Sequence, residues 1–238
     1  VDAGNLASIQ SALASTAVQA SGLVSASNVQ TLVNAFNSIM AEANGSATDA
    51  TPASNPTSAT YTAIGATTAA GLGASGLALL NDAIGNLNAS DVNTVGKIEA
   101  LAATAAQLQT LAALTTAPTP LPSINLSALA ALGITGLNAD NLPVFLALVV
   151  ASADNGTGAD SLTEIQAMVT QAQQDHAQIL LAQQRQQAAI ALIQAYAGDS
   201  NTAAGMTAPT LVDFGTSGVT GVDASNLAAI QSALATPA

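Results

Sequence analysis

The chain has 238 residues, with 14 acidic side chains against two basic ones, a net charge of −12 and no cysteine. Nucleic acid and anionic membrane surfaces are held through basic patches, so that balance excludes both as partners. Half of the residues are hydrophobic but only 2% are aromatic, so the apolar content is mostly Ala with Leu, Ile and Val, a mixture that favours closely packed helices over sheets.

Residues 1–15 open on VDAGNLASIQSALA and predict a helix with Asp2 as N-cap and Leu6, Ile9 and Leu13 at helical spacing. Val1 begins directly on this motif, with no signal peptide, so both ends read as cut or processing boundaries. A second helix is expected at 27–44, capped by Ser27 and ended by Gly45, with Val29, Leu32, Val33, Phe36, Ile39 and Met40 on one face. The polar, Pro-containing segment 45–58 reads as a linker. A short helix around 59–67 should turn Tyr61 and Ile64 inward, and a medium one should cover 75–87. A longer helix from near Ser90 carries Val92, Val95, Ile98, Leu101, Leu108 and Leu111, until Pro118, Pro120 and Pro122 stop it.

Residues 124–134 predict a short helix closed by Gly133, and Asn138 or Asp140 should cap a helix over 141–153. Its apolar run at 142–153 is about a dozen residues with a Pro inside, whereas a membrane span needs about 20, so no membrane insertion is expected. Ser161 with Glu164 three residues on is a capping box. The helix it opens could run to Ala197, with Gly198 as C-cap, some 55 Å at about 1.5 Å per residue. After a linker, LVDFGTSGVTG restarts the pattern and VDASNLAAIQSALA completes it at 222–235. This last stretch repeats residues 1–14 almost unchanged, nearly a whole chain length away.

The expected fold is therefore all-α: tandem three-helix-bundle modules in an extended array, with unusually long third helices. Each unit is a short helix, a Gly-x-x-Gly turn (133–136 and 218–221), a medium helix, a polar loop and a long helix. Residues 1–49 form a partial module, 50–117 and 118–203 two whole ones, and 204–238 a second partial one.

Little in the chain could perform chemistry. His176, the single histidine, lies in a Gln-rich helical run and is expected to be exposed, with no nucleophile or orienting group beside it. Asp2, Asp91, Asp140, Asp160 and Asp223 lie at helix starts, where a carboxylate satisfies free N–H groups and the dipole. Asp154, Asn155 and Asp160 bracket a loop that could take calcium, although it lacks the EF-hand ligand pattern. No other cofactor is expected. Asn-x-Ser/Thr triplets at 44–46, 88–90, 125–127 and 155–157 fall mostly where turns want those residues anyway. Lys97 and Arg185 each sit on a long helix; Arg185 is a candidate for fixing register against a neighbouring subunit. The same half-helix carries Ile179, Leu180, Ile190, Leu192, Ile193 and Tyr196, more apolar surface than one short unit covers, and such surface usually means a partner.

The pattern LVDFGTSGVTGVDASNLAAIQSALA followed by DSLTEIQAMV resembles the helical repeats found in tandem in giant, type I-secreted, adhesin-like proteins of bacterial surfaces. Its helix order is also similar to that of the albumin-binding three-helix modules of Gram-positive cell-wall proteins. The resemblance implies an extracellular repeat protein at a bacterial cell surface: a stalk, matrix fibre or surface-layer component that is not an enzyme and associates with itself or with neighbouring repeats. The alternative it implies is a module that binds a host protein such as albumin, or a glycan.

Overall fold

The computed structural model describes residues 6–15, 18–19, 25–45, 55–153, 155–198 and 206–235. Every regular element among them is helical, with one isolated bridge between Asn44 and Asn88. In chain order the helices are α1 (Leu6–Leu13), α2 (Ala26–Glu42), α3 (Ser58–Ala63), α4 (Thr67–Ala70), α5 (Ala74–Asn86), α6 (Val95–Ala112), α7 (Leu126–Ala131), α8 (Leu142–Val150), α9 (Leu162–Gly198), α10 (Leu211–Ser217) and α11 (Leu227–Leu234). A 3-10 turn at Ala89–Asp91 precedes α6. The chain forms two compact units, Val1–Gln173 and Gln174–Ala238, and the division falls within α9.

The first unit is organised around α6, which packs against α1, α4, α5, α7 and α8. Its sequence explains that many neighbours. Ile98, Leu101, Leu108 and Leu111 are buried on it together with Ala102, Ala105 and Ala112, whose small side chains let other helices approach. Thr104 is buried too and satisfies its hydroxyl by donating to Ala100 O at 3.1 Å. The expected start near Ser90 moves to Val95, because Thr94 caps the helix by accepting from Lys97 N at 3.3 Å while 89–91 close a separate turn. Lys97 Nζ then donates to Ser90 O (2.7 Å) and Asn93 Oδ1 (2.9 Å), tying that turn to α6.

Other boundaries shift for similar reasons. Ser25, rather than Ser27, caps α2 by accepting from Asn28 N. The short helix expected at 59–67 is two helices, α3 and α4, separated by Gly65 at φ +77°. Thr57 caps α3 through a box with Thr60, and the Glu99 carboxylate of α6 accepts from Thr68 N at 2.9 and 3.0 Å. Asp2 lies outside the described residues.

Tyr61 and Ile64 are fully buried, as the spacing predicts. Tyr61 carries a polar atom into that core and satisfies it: its hydroxyl donates to Asn81 Oδ1 at 2.6 Å, and Asn81 Nδ2 donates to Pro56 O at 2.9 Å. Burial, and secondarily the Glu42 carboxylate, push the Tyr61 hydroxyl well above its usual pKa. The start of α9 is held from two sides. Ser161 Oγ accepts from Glu164 N at 3.3 Å, while the Glu164 carboxylate reaches back to Asp160 N at 3.2 Å. Asp82, on α5, accepts from Leu162 N and so caps α9 from 80 residues away.

Candidate assembly interface

The residues singled out on the second half of α9 lie in the second unit. Ile179, Leu180 and Ile190 are exposed, as is Arg185; Ile193 and Tyr196 are half-buried, and so is Leu192. Ile179 and Ile190 are three turns apart and return to nearly the same line of the helix. Leu181 is exposed beside them, a position the sequence reading passed over. Other exposed large apolar side chains of this unit are Met206, Leu211, Val212 (73% exposed) and Val219. Against them, among the described residues of this unit, the buried side chains are Ala189 of α9, Pro209, and Phe214 of α10.

The meaning of that exposure comes from a comparison inside the chain. The α7–α8 corner and the α10–α11 corner have the same construction 85 residues apart (133 to 218). Gly133 and Gly136 have φ of +95° and +88°; Gly218 and Gly221 have +89° and +80°. These left-handed conformations admit glycine and strain any residue with a Cβ, which is why the Gly-x-x-Gly spacing recurs. The loop that follows is bonded identically. Asn141 Oδ1 accepts from Asn138 N at 2.8 Å and Asn141 Nδ2 donates to Gly136 O at 3.2 Å. Asn226 Oδ1 accepts from Asp223 N at 2.9 Å and Asn226 Nδ2 donates to Gly221 O at 2.8 Å. Asn138 and Asp223 correspond in turn, each accepting from the backbone N–H groups two and three residues on.

Burial is where the two corners part. Ile134 is 2% exposed and its counterpart Val219 is 46% exposed. Phe145 and Val149 are fully buried, while their counterparts Ile230 and Leu234 are half-buried. The first corner is covered by the start of α9, whose Ile165, Val169 and Ala172 are buried. Gln166 Nε2 donates to Thr135 O at 3.0 Å and Gln173 Nε2 to Gly136 O at 2.8 Å. The second corner is met by Gln186, whose Nε2 lies 3.5 Å from Ser217 O.

The remaining candidates are structural or solitary. His176 is half-buried on α9, less open than its polar surroundings predict. Asp91 accepts from Asn88 N at 3.1 Å and closes the 3-10 turn. Asp223 is held below the usual carboxylate range by the Ser225 hydroxyl first, then by backbone N–H groups. Asp213 is lowered by the Thr210 N–H and hydroxyl, both at 2.7 Å, a capping box the sequence reading missed. Of the calcium candidates, Asp154 lies outside the described residues. Asn155 spends its Oδ1 on Thr157 N (3.1 Å) and Thr157 Oγ1 (2.8 Å). Asp160 is half-buried and raised, by desolvation first and then by Glu164 and Asp82. Among the described residues no group of three or more His, Cys, Asp or Glu is placed to hold a metal ion, and no helix is long and apolar enough to cross a membrane.

Comparison with known proteins finds no matching family model, no matching curated protein and no matching solved structure.

Proposed function

We propose that this chain is a structural repeat segment of an extracellular bacterial surface protein, built from three-helix modules in series and assembling through helix packing. The supporting observation is the pair of corners with the same turns and hydrogen bonds but unequal cover. Two corners of one construction in one chain are what a repeat array contains; at the second, Phe214 is buried, Ile230 and Leu234 are half-buried and Val219 is open. In a repeat array each unit is completed by its neighbour, and an uncovered unit is a docking place for the next. The acidic, Lys-poor and Arg-poor surface suits exposure outside a cell, where proteases that cut after basic residues find few sites. Mechanically, length comes from modules in series. No reaction belongs to this proposal.

The test is negative-stain electron microscopy and sedimentation velocity of the purified chain at several concentrations, with and without calcium. Fibres, lattices or a sedimentation coefficient that climbs with concentration support the reading. A strictly monomeric particle that saturably binds albumin or a glycan would replace it with the ligand-binding alternative.

A further inference from the structure

The second unit's exposed helix has a near-twin in the first. Residues 6–13 of α1 read LASIQSAL and residues 227–234 of α11 read LAAIQSAL, so the two differ only at Ser8 and Ala229. Their surroundings differ much more. Ser8, Ile9 and Ala12 are buried where α1 packs on α2 and α6; at the matching positions of α11, Ile230 is half-buried and Ala229 and Ala233 are exposed. The face that receives α1 belongs largely to α2, where Leu32, Val33, Phe36 and Ile39 are buried, and Ser8 Oγ lies 3.6 Å from Met40 Sδ. A surface that accepts the first octapeptide accepts the second: the single change replaces a buried hydroxyl by a smaller apolar methyl, and desolvating Ala is easier than desolvating Ser.

We propose that α11 of one molecule docks on α2 of a second molecule, in the place α1 occupies within one chain, so that copies join tail to head. The inference rests on the assembly reading above and names its contact. The occupant is another copy of this chain because α2 is the surface the chain itself shows to fit this octapeptide. Charge points the same way. Two copies each carrying −12 can meet closely only where carboxylates are absent; α1 and α11 have no charged residue, and α2 has only Glu42, which is buried. Exchange of an equivalent element conserves the contacts of α1 and carries α10 along, with its open Leu211, Val212 and Val219, to a neighbour that can cover them. Such a contact is heterologous: α11 of each copy displaces α1 from α2 of the next.

The chain has no cysteine, so introduced thiols report without background. Met40→Cys with Ala229→Cys places one thiol on α2 and one on α11, where the proposed contact juxtaposes them as Ser8 and Met40 are juxtaposed in one chain. With a short thiol-to-thiol cross-linker the double variant should give a ladder of covalent dimers, trimers and longer species. Ile230→Asp, on a half-buried position of the second unit, should abolish the ladder while leaving the helicity of the first unit intact. Ser8→Cys with Met40→Cys should close within one chain and serves as the geometric control. A monomer after treatment, an internally closed monomer, or dimers that Ala229→Cys alone forms equally well would each overturn the proposal. Sedimentation of the unmodified chain in parallel separates the two claims: assembly without a ladder rejects this contact alone, and no assembly rejects the assembly reading with it.

Discussion

Tyr61→Phe removes one oxygen from a fully buried residue of the first unit. Tyr61 is fully buried, and its hydroxyl donates to Asn81 Oδ1 at 2.6 Å; Asn81 is itself only 4% exposed. The ring stays and the cavity left is about one atom, so the cost is the stranded acceptor. Asn81 Nδ2 remains bonded to Pro56 O at 2.9 Å, which prevents the amide from turning to recruit another donor. A buried acceptor left unsatisfied costs about 1–3 kcal/mol. For a unit of this size each kcal/mol is worth about 2–4 °C in Tm, so the variant should melt roughly 2–12 °C lower. Far-UV circular dichroism during a thermal ramp reads this directly, and urea titration should lower the midpoint without changing the slope. Replacing Asn81 by Leu in the Tyr61→Phe background removes that acceptor but strands Pro56 O in its place, so the double variant should cost less than the two single variants summed, without regaining the wild-type Tm. A Tyr61→Phe protein with unchanged Tm, or a double variant worse than the sum of the singles, would refute the reasoning.

Alkaline titration followed at 295 nm should show Tyr61 ionising only as helicity is lost: its pKa is raised in the folded state, so stability falls as pH climbs past the ordinary tyrosine value of about 10. Gly136→Ala and Gly221→Ala impose similar backbone strain, but a Cβ at 136 meets Gln173 Nε2 at 2.7 Å whereas at 221 it meets nothing within 4 Å; thermal melts should show the first as the costlier. Phe145→Ala in α8 should destabilise by about 3–5 kcal/mol in urea, and Ile230→Ala at the matching place of α11 by far less at concentrations where the chain is monomeric. Asp160→Asn should be neutral or stabilising at pH 7, because the raised carboxyl is charged there at a cost; the difference should shrink as pH falls through its folded pKa and vanish once both states are protonated, which melts at several pH values would show.

The helices were largely legible in the sequence because their apolar spacing is regular and their stops are Gly or Pro. The full length of α9 followed from an unbroken run of helix formers between a Ser161–Glu164 box and Gly198. The Gly-x-x-Gly corners were visible as spacing, though their left-handed angles were not. What escaped were contacts made across the chain. Asp82 capping Leu162, Glu99 capping Thr68 and Tyr61 meeting Asn81 join positions 20 to 80 residues apart, and no local pattern marks them. The start of α6 slipped by about five residues because Asn88, Ser90, Asp91, Thr94 and Lys97 all offer plausible local partners, and the geometry selects among them. The apolar excess on the second half of α9 was legible as composition. That the neighbouring corner is bonded like the first and yet lies open could be seen only by setting the two side by side.

The most direct test of assembly through the open corner is sedimentation velocity of the unmodified chain over a wide concentration range, with Ile230→Asp measured alongside. The account predicts that the unmodified chain sediments progressively faster as concentration rises and that Ile230→Asp stays monomeric with the same helicity. A single monomeric boundary for both proteins at every concentration would contradict it.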